Sequence, residues 1–163
     1  MKKIIAMVAL VFSCMLAYAQ TNGEVIVMNK AMFIKDVFDY EKSQDWKYKG
    51  NKPAIIDLYA DWCGPCRMEM PNVVAAYAKY KAKGFGIVGV SLDNDVESWK
   101  KAIKDLNITW PQMSDLKGWQ CEGAALYGVR AIPATLLVSK DGTIVARDLR
   151  GEDLEAKLAE LMK

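Results

Sequence analysis

Cys63 and Cys66 stand three residues apart, with only Gly64 and Pro65 between them. Two thiols at that spacing can close a small disulfide ring and open it again, one sulfur attacking and the other resolving the mixed disulfide. Whether they do so depends on what carries them. Ala54 to Tyr59 is an apolar run with the length and composition of a buried strand. Residues 67–83 carry apolar side chains at helical spacing. The pattern therefore predicts a strand that turns into a helix, with Cys63 at the helix start and Cys66 one turn in. The first N–H groups of a helix have no intrahelical partner and favour negative charge. A Cys63 thiolate placed there is stabilised, so its pKa falls and more of it is nucleophilic at neutral pH.

Two other readings of the pair stay open on residue type alone. A Cys-x-x-Cys can be half of a zinc site, but such a site takes about four ligands, usually Cys or His. The chain has no histidine, and its other cysteines are Cys14 and Cys121. No metal and no cofactor are expected. The second alternative is a purely structural disulfide, against which the strand-to-helix setting weighs. Without histidine there is no Ser/His or Cys/His nucleophile pair, and no glycine-rich phosphate loop is present. Cys121 reads as a small buried hydrophobe, with a mixed or intermolecular disulfide as its alternative.

The stretch Asp57-Leu-Tyr-Ala-Asp-Trp-Cys-Gly-Pro-Cys is very similar to the active-site stretch of thioredoxins. Pro71 falls five after Cys66, where thioredoxins kink their long helix. Tyr127-Gly-Val-Arg-Ala-Ile-Pro-Ala-Thr resembles their segment carrying the cis-proline, and Asp141-Gly142 their hairpin turn. Arg67-Met-Glu-Met-Pro is similar to the TlpA-like branch of membrane-anchored or periplasmic members, which often has a glutamate two before that proline. The likeness covers roughly residues 52–162. It implies an α/β thioredoxin fold, a central mixed β-sheet flanked by helices on both faces. It implies that Cys63 is the nucleophile and Cys66 the resolving thiol, with Asp57 buried behind the pair as proton acceptor for Cys66. It also implies a cis peptide between Ile132 and Pro133, packed beside the disulfide, with the Ile132 backbone pairing with an extended substrate. Trp62, Gly64 and Pro65 complete the expected substrate-binding set. Gly151 resembles the glycine of the adjoining groove wall. Peroxide-reducing relatives place a threonine three before a single cysteine, where this chain has Ala60.

Glu69 follows Cys66 by three, so on a helix it lies on the same side. In the TlpA-like branch a glutamate in this place sits beside the active site. It is then expected to raise the thiol pKa and to couple its own titration to the cysteines. The alternative is a solvated glutamate paired with Arg67 or a nearby lysine.

The remaining elements follow from pattern and punctuation. Residues 24–28 predict a first strand, and Asn29 can cap a short helix burying Phe33, Val37 and Phe38. Trp46 and Tyr48 read as packing residues. Pro71 should kink the long helix, and Gly84 ends it. Residues 85–92 predict a buried strand, and Asp93-Asn94-Asp95 a turn capping a helix over 96–106. Residues 108–110 suggest a short strand closed by Pro111. Residues 115–123 read as irregular, and 124–127 as a short helix stopped by Gly128. Strands over 135–139 and 143–147 flank Asp141-Gly142 as a hairpin. Residues 152–162 form the last helix, with Leu154, Leu158 and Leu161 on one face. A single βαβ unit, a hairpin and a final helix make one layered domain over residues 20–163.

Residues 1–19 read as a secretory signal peptide: Lys2 and Lys3, an apolar run too short to span a membrane, and Ala17-Tyr18-Ala19 as a cleavage site before Gln20. A lipoprotein signal ending at Cys14 is the weaker alternative, because Phe12 fits a lipobox poorly. The chain has 22 basic and 20 acidic residues. The leader removes two lysines, which leaves a net charge near zero and no basic patch for nucleic acid. The expected activity is thiol–disulfide oxidoreduction in a periplasmic or secreted protein. Gly-Pro between the cysteines, and Ile before the proline, resemble the reducing members, whose potentials lie near ~ −270 mV. The expected partners are disulfide-containing protein substrates and a membrane electron donor that re-reduces the pair; a monomer is expected. Two alternatives remain: a specialised reductant for cytochrome c maturation, and a non-catalytic binding module on a thioredoxin scaffold.

Overall fold

The structure is a computed structural model that describes residues 26–27 and 52–163. The expected leader, Cys14, the helix after Asn29, and Trp46 and Tyr48 lie outside the described residues.

Among the described residues, six strands form one mixed sheet in the order β1-β4-β3-β2-β5-β6. They are β1 (Ile26–Val27), β2 (Ala54–Tyr59), β3 (Gly86–Ser91), β4 (Gln112–Ser114), β5 (Ala134–Val138) and β6 (Ile144–Arg147). The first four in that order run parallel, while β5 is antiparallel to β2 and β6 to β5. All six residues of β2 and all six of β3 are buried, which is why both read as continuous apolar runs rather than alternating ones. The β5–β6 hairpin closes through Ser139 and Thr143, with the Gly142 amide on the Ser139 carbonyl at 2.9 Å.

Among the described residues, four α-helices connect and cover the strands: α1 (Gly64–Tyr80), α2 (Val96–Asp105), α3 (Glu122–Leu126) and α4 (Gly151–Leu161). In α1 the buried residues Cys66, Met70, Val73, Ala76 and Tyr80 recur at three or four, the stripe that seats a helix on a sheet. Pro71 lies inside this helix and cannot donate to the Arg67 carbonyl. The helix continues as a 3-10 turn over Lys81–Lys83. Asp95 caps α2 by accepting the Ser98 N–H at 2.7 Å. Helix α4 packs on α1, where the Tyr80 hydroxyl donates to Glu155 at 2.8 Å.

Alternate residues of a strand face opposite sides of a sheet, so Asp57 and Tyr59 share one face. Trp99 of α2 donates its indole N–H to the Tyr59 hydroxyl at 3.0 Å, which places α2 on that face. The Tyr59 hydroxyl in turn donates to Gln112 at 2.8 Å. Gln112 crosses directly over Gly89: a Cβ there would lie 2.1 Å from its side-chain oxygen. Glycine at 89 is thus a requirement of the polar contact beside it. On the opposite face, Gly123 of α3 lies against Val90.

Two expectations need correction. The strand expected over 108–110 lies instead at Gln112–Ser114. Ile108 folds back so that its N–H reaches the Ile103 carbonyl at 3.0 Å, and Trp110 packs edge-on to Tyr77 with ring centroids 5.4 Å apart. Ile108 and Trp110 are apolar because they fill core, while Thr109 between them is exposed. The ladder starts only when the Pro111 carbonyl accepts the Gly89 N–H at 2.9 Å, and a proline can open a strand but not sit within it. Consequently there are two consecutive parallel crossovers, β2-α1-β3 and β3-α2-β4, and not one βαβ unit. The other expected boundaries shift by a few residues, while α1 begins at Gly64 with Cys63 as its cap, where the strand-to-helix reading of the pair put the helix start.

Candidate active site

The turn from β2 into α1 presents the two cysteines. Cys63 is the N-cap of α1, with extended backbone (φ −87°, ψ 100°), and its sulfur accepts the Cys66 N–H at 3.2 Å. Pro65 occupies the first turn, where its missing N–H leaves no bond unmade. The Cys63 N–H returns to the Ala60 carbonyl at 3.2 Å and closes the turn. Cys63 and Cys66 are joined as a disulfide with their Cα atoms 5.2 Å apart. Cys63 is 5% exposed and Cys66 2%, so an incoming sulfur meets Cys63 first.

Facing the disulfide is the loop before β5. The Ile132–Pro133 peptide is cis, and the Ile132 carbonyl oxygen lies 3.7 Å from Cys63 Sγ. Arg150 donates to the Pro133 carbonyl at 2.8 Å, and Thr135 to the Leu149 carbonyl at 3.1 Å. The first bond ties this loop, and the second ties β5, to the chain entering α4. Gly64 and Pro65 lie on the exposed rim.

Asp57 is 2% exposed on β2, and its Oδ2 has no hydrogen-bond partner. Burial, and then the charge of Glu69, push its carboxyl up to about 7. Glu69 is half-buried on α1. Among the described residues it pairs with neither Arg67 nor a lysine; it accepts the Gly151 N–H at 2.8 Å and an Asn72 amide N–H at 3.0 Å. Gly151 has φ +49°, a conformation that suits a residue without Cβ, and in it the amide at the head of α4 meets the carboxylate. Arg67 pairs with Asp61 at 2.9 Å. Replacing Glu69 by Gln keeps an acceptor for Gly151 but removes the charge felt at Asp57. The Asp57 titration, followed by carboxyl NMR in Glu69→Gln, should move down yet stay above the ordinary range because burial remains. An unmoved titration would leave Glu69 only a bridge between α1 and α4.

Trp62 is 53% exposed beside Cys63, and Trp119 is 51% exposed with its ring centroid 6.3 Å from that of Trp62. Trp119 sits on a 3-10 turn, Gly118–Gln120, in the stretch expected to be irregular, and nothing local in the sequence marks its contact with Trp62. Cys121 is buried and free, and burial pushes its thiol up. Among the described residues no group of three His, Cys, Asp or Glu is placed to hold a metal ion, and no helix is long and apolar enough to cross a membrane.

A helix-capping Cys-x-x-Cys disulfide opposite a cis-proline, on a sheet of this topology, defines a thioredoxin-fold protein. The chain belongs to the AhpC/TSA family, whose profile matches residues 35–147. It is similar to the thiol-disulfide oxidoreductase ResA of Bacillus thuringiensis, 32% identical over 120 residues, covering 74% of this chain and 65% of that protein. Among solved structures it resembles a thiol-disulfide oxidoreductase from Bacteroides fragilis, with TM-score 0.65 and 36% identity over 69% of this chain and 82% of the other. It equally resembles the thioredoxin domain of a thiol-disulfide oxidoreductase from Bacteroides vulgatus, with TM-score 0.65 and 33% identity over 70% and 81%. This chain thus spans under two thirds of the length of the ResA relative.

Proposed function

We propose that this protein is a thiol–disulfide oxidoreductase that reduces disulfides in extracytoplasmic proteins. The observation that carries this reading is the Cys63 sulfur at the α1 N-cap, 3.7 Å from the Ile132 carbonyl. In the reduced enzyme the Cys63 thiolate attacks a substrate disulfide; one substrate sulfur leaves as a thiolate and takes up a proton. Cys66, giving its proton to Asp57, then attacks Cys63 Sγ. The mixed disulfide breaks, the second substrate thiolate leaves, and the Cys63–Cys66 disulfide forms. Two electrons have passed to the substrate. A membrane-bound dithiol donor is the partner class that would restore the pair. The Ile132 backbone, Pro133 and the rim at Trp62, Gly64 and Pro65 would hold an extended substrate segment, with Trp119 enlarging the aromatic surface. The protein is proposed to act as a monomer.

Insulin reduction by the reduced protein, with a glutathione titration of the Cys63–Cys66 couple, tests the reading. A reducing potential with turnover is expected. A potential among the strong oxidants would reverse the direction, and no turnover would favour a binding module. Glu69 beside Asp57 supports a narrower second reading, a reductant for cytochrome c maturation. Selective reduction of an oxidised haem-binding Cys-x-x-Cys-His peptide over insulin would distinguish it.

Residues 1–19 are proposed to be a leader removed after Ala19, on the strength of the Ala-x-Ala site. Intact mass of protein from its own host should begin at Gln20; a diacylated Cys14 terminus would place it on a membrane instead.

A further inference from the structure

Strands β2 and β3 pair in parallel as far as Tyr59 and Ser91. One more bond continues the ladder, from the Leu92 N–H to the Tyr59 carbonyl at 2.8 Å. The next amide, that of Asp61, finds a side chain instead: it donates to both carboxylate oxygens of Asp93, at 2.9 and 3.2 Å. Asp93 is 2% exposed, and a buried carboxylate is costly unless its oxygens are bonded. Ser91 meets that need. Its hydroxyl donates to Asp93 Oδ2 at 2.7 Å and accepts the Asp93 N–H at 2.9 Å, while Ser114 donates to the Ser91 carbonyl at 2.9 Å. From the other side, the Asp61 carboxylate accepts from Arg67 of α1. The turn is therefore fixed twice, its amide to the end of β3 and its carboxylate to α1. Only Trp62 separates Asp61 from Cys63.

We propose that Asp93 is a positioning residue for the dithiol: by holding the Asp61 amide, it sets the turn that places the Cys63 sulfur where the Cys66 N–H reaches it. This rests on the dithiol reading of the site. The acids around the turn, Asp61, Glu69, Asp93 itself and, once ionised above about pH 7, Asp57, disfavour a thiolate by charge, and Arg67 favours one. Loss of the Asp93 charge alone would lower the Cys63 pKa. Loss of the anchor would raise it, because the thiolate loses its helix N–H. The two effects have opposite signs.

The test is the pH profile of Cys63 alkylation by iodoacetamide in the reduced protein. Asp93→Ala should raise the midpoint by about one pH unit, the scale of one lost hydrogen bond to an ion. Asp93→Asn keeps an oxygen for the Asp61 N–H and an amide for Ser91, so its midpoint should stay at or below that of wild type. Asp95→Ala, which loses the cap of α2, should lower thermal stability and leave the midpoint in place. A wild-type or lowered midpoint in Asp93→Ala overturns the proposal, as does an Asn variant shifted up as far as Ala. If Asp93→Ala does not fold, Ser91→Ala removes only the hydroxyl that orients the carboxylate; a raised midpoint supports the proposal and an unmoved one overturns it. The readout needs no substrate, so a wild-type protein that fails to reduce insulin would sink the oxidoreductase reading and leave this comparison decisive.

Discussion

Cys63→Ser is expected to abolish insulin reduction, and Cys66→Ser to accumulate covalent complexes with its substrates. The asymmetry comes from position. Cys63 caps α1 and receives the Cys66 N–H at 3.2 Å, so it is the sulfur whose thiolate the helix stabilises. Cys66 lies one turn in and is the more buried of the two, so it is placed to resolve. Without its thiol, the mixed disulfide on Cys63 has no internal attacker and persists until an external thiol arrives. Gel-shift trapping under non-reducing conditions checks this, and the captured proteins identify the substrates. Cys121→Ser should leave turnover nearly intact, because that thiol is buried and kept protonated. Equal loss in Cys121→Ser and Cys63→Ser would mean that a two-cysteine cycle is incomplete.

Asp57→Asn should slow resolution of the mixed disulfide while stabilising the fold at alkaline pH. A positioned base typically contributes about 10²–10⁴-fold, so stopped-flow decay of the mixed disulfide should slow by at least about 10²-fold. The stability effect follows from linkage. The Asp57 carboxyl is at about 7 in the folded protein, raised from 3.8. The folded state therefore holds a proton that the unfolded chain has released between those values. The stabilisation from a neutral Asp57 is complete below about pH 4 and is lost as pH rises through about 7. Above that, a buried charge with an unpartnered Oδ2 remains, at a cost on the order of 4 kcal/mol. Asparagine carries no such charge. Denaturant titrations of the oxidised proteins at pH 5 and pH 9 should show wild type losing stability between them and Asp57→Asn losing much less. Parallel losses would mean that Asp57 titrates as an ordinary carboxylate.

What the sequence makes legible here is what lies within one strand–turn–helix unit. Ala54–Tyr59, the two cysteines and the stripe through Tyr80 encode their own geometry, because strand burial, helix capping and helical spacing are local rules. Ile132 and Pro133 are legible only through resemblance, since nothing in their own stretch points to a sulfur 69 residues earlier. Asp93 was open to a plain reading as part of a capping turn. It is Asp95 that caps α2, and the role of Asp93 depends on an amide 32 residues before it. The misplaced strand at 108–110 has the same origin. Apolar residues at Ile108 and Trp110 signal burial, but burial against α1 and α2 leaves the same trace in composition as burial within a sheet. Trp119 and its partner Trp62 are exposed, and exposed contacts leave no periodicity at all.

The ring closed by Cys63 and Cys66 encloses only the two residues between them, so it restricts the unfolded chain far less than a long loop would. Oxidised and reduced protein accordingly unfold to nearly the same ensemble. Unfolding and reduction then form a closed thermodynamic cycle. The difference in unfolding free energy between the two forms equals the gap in reduction potential between the folded pair and the same pair in the unfolded chain. At about 1.4 kcal/mol for each ~30 mV, two denaturation curves measure how far the fold itself moves the potential, with no redox partner in the cuvette. For a reductant, the oxidised form is the more stable of the two.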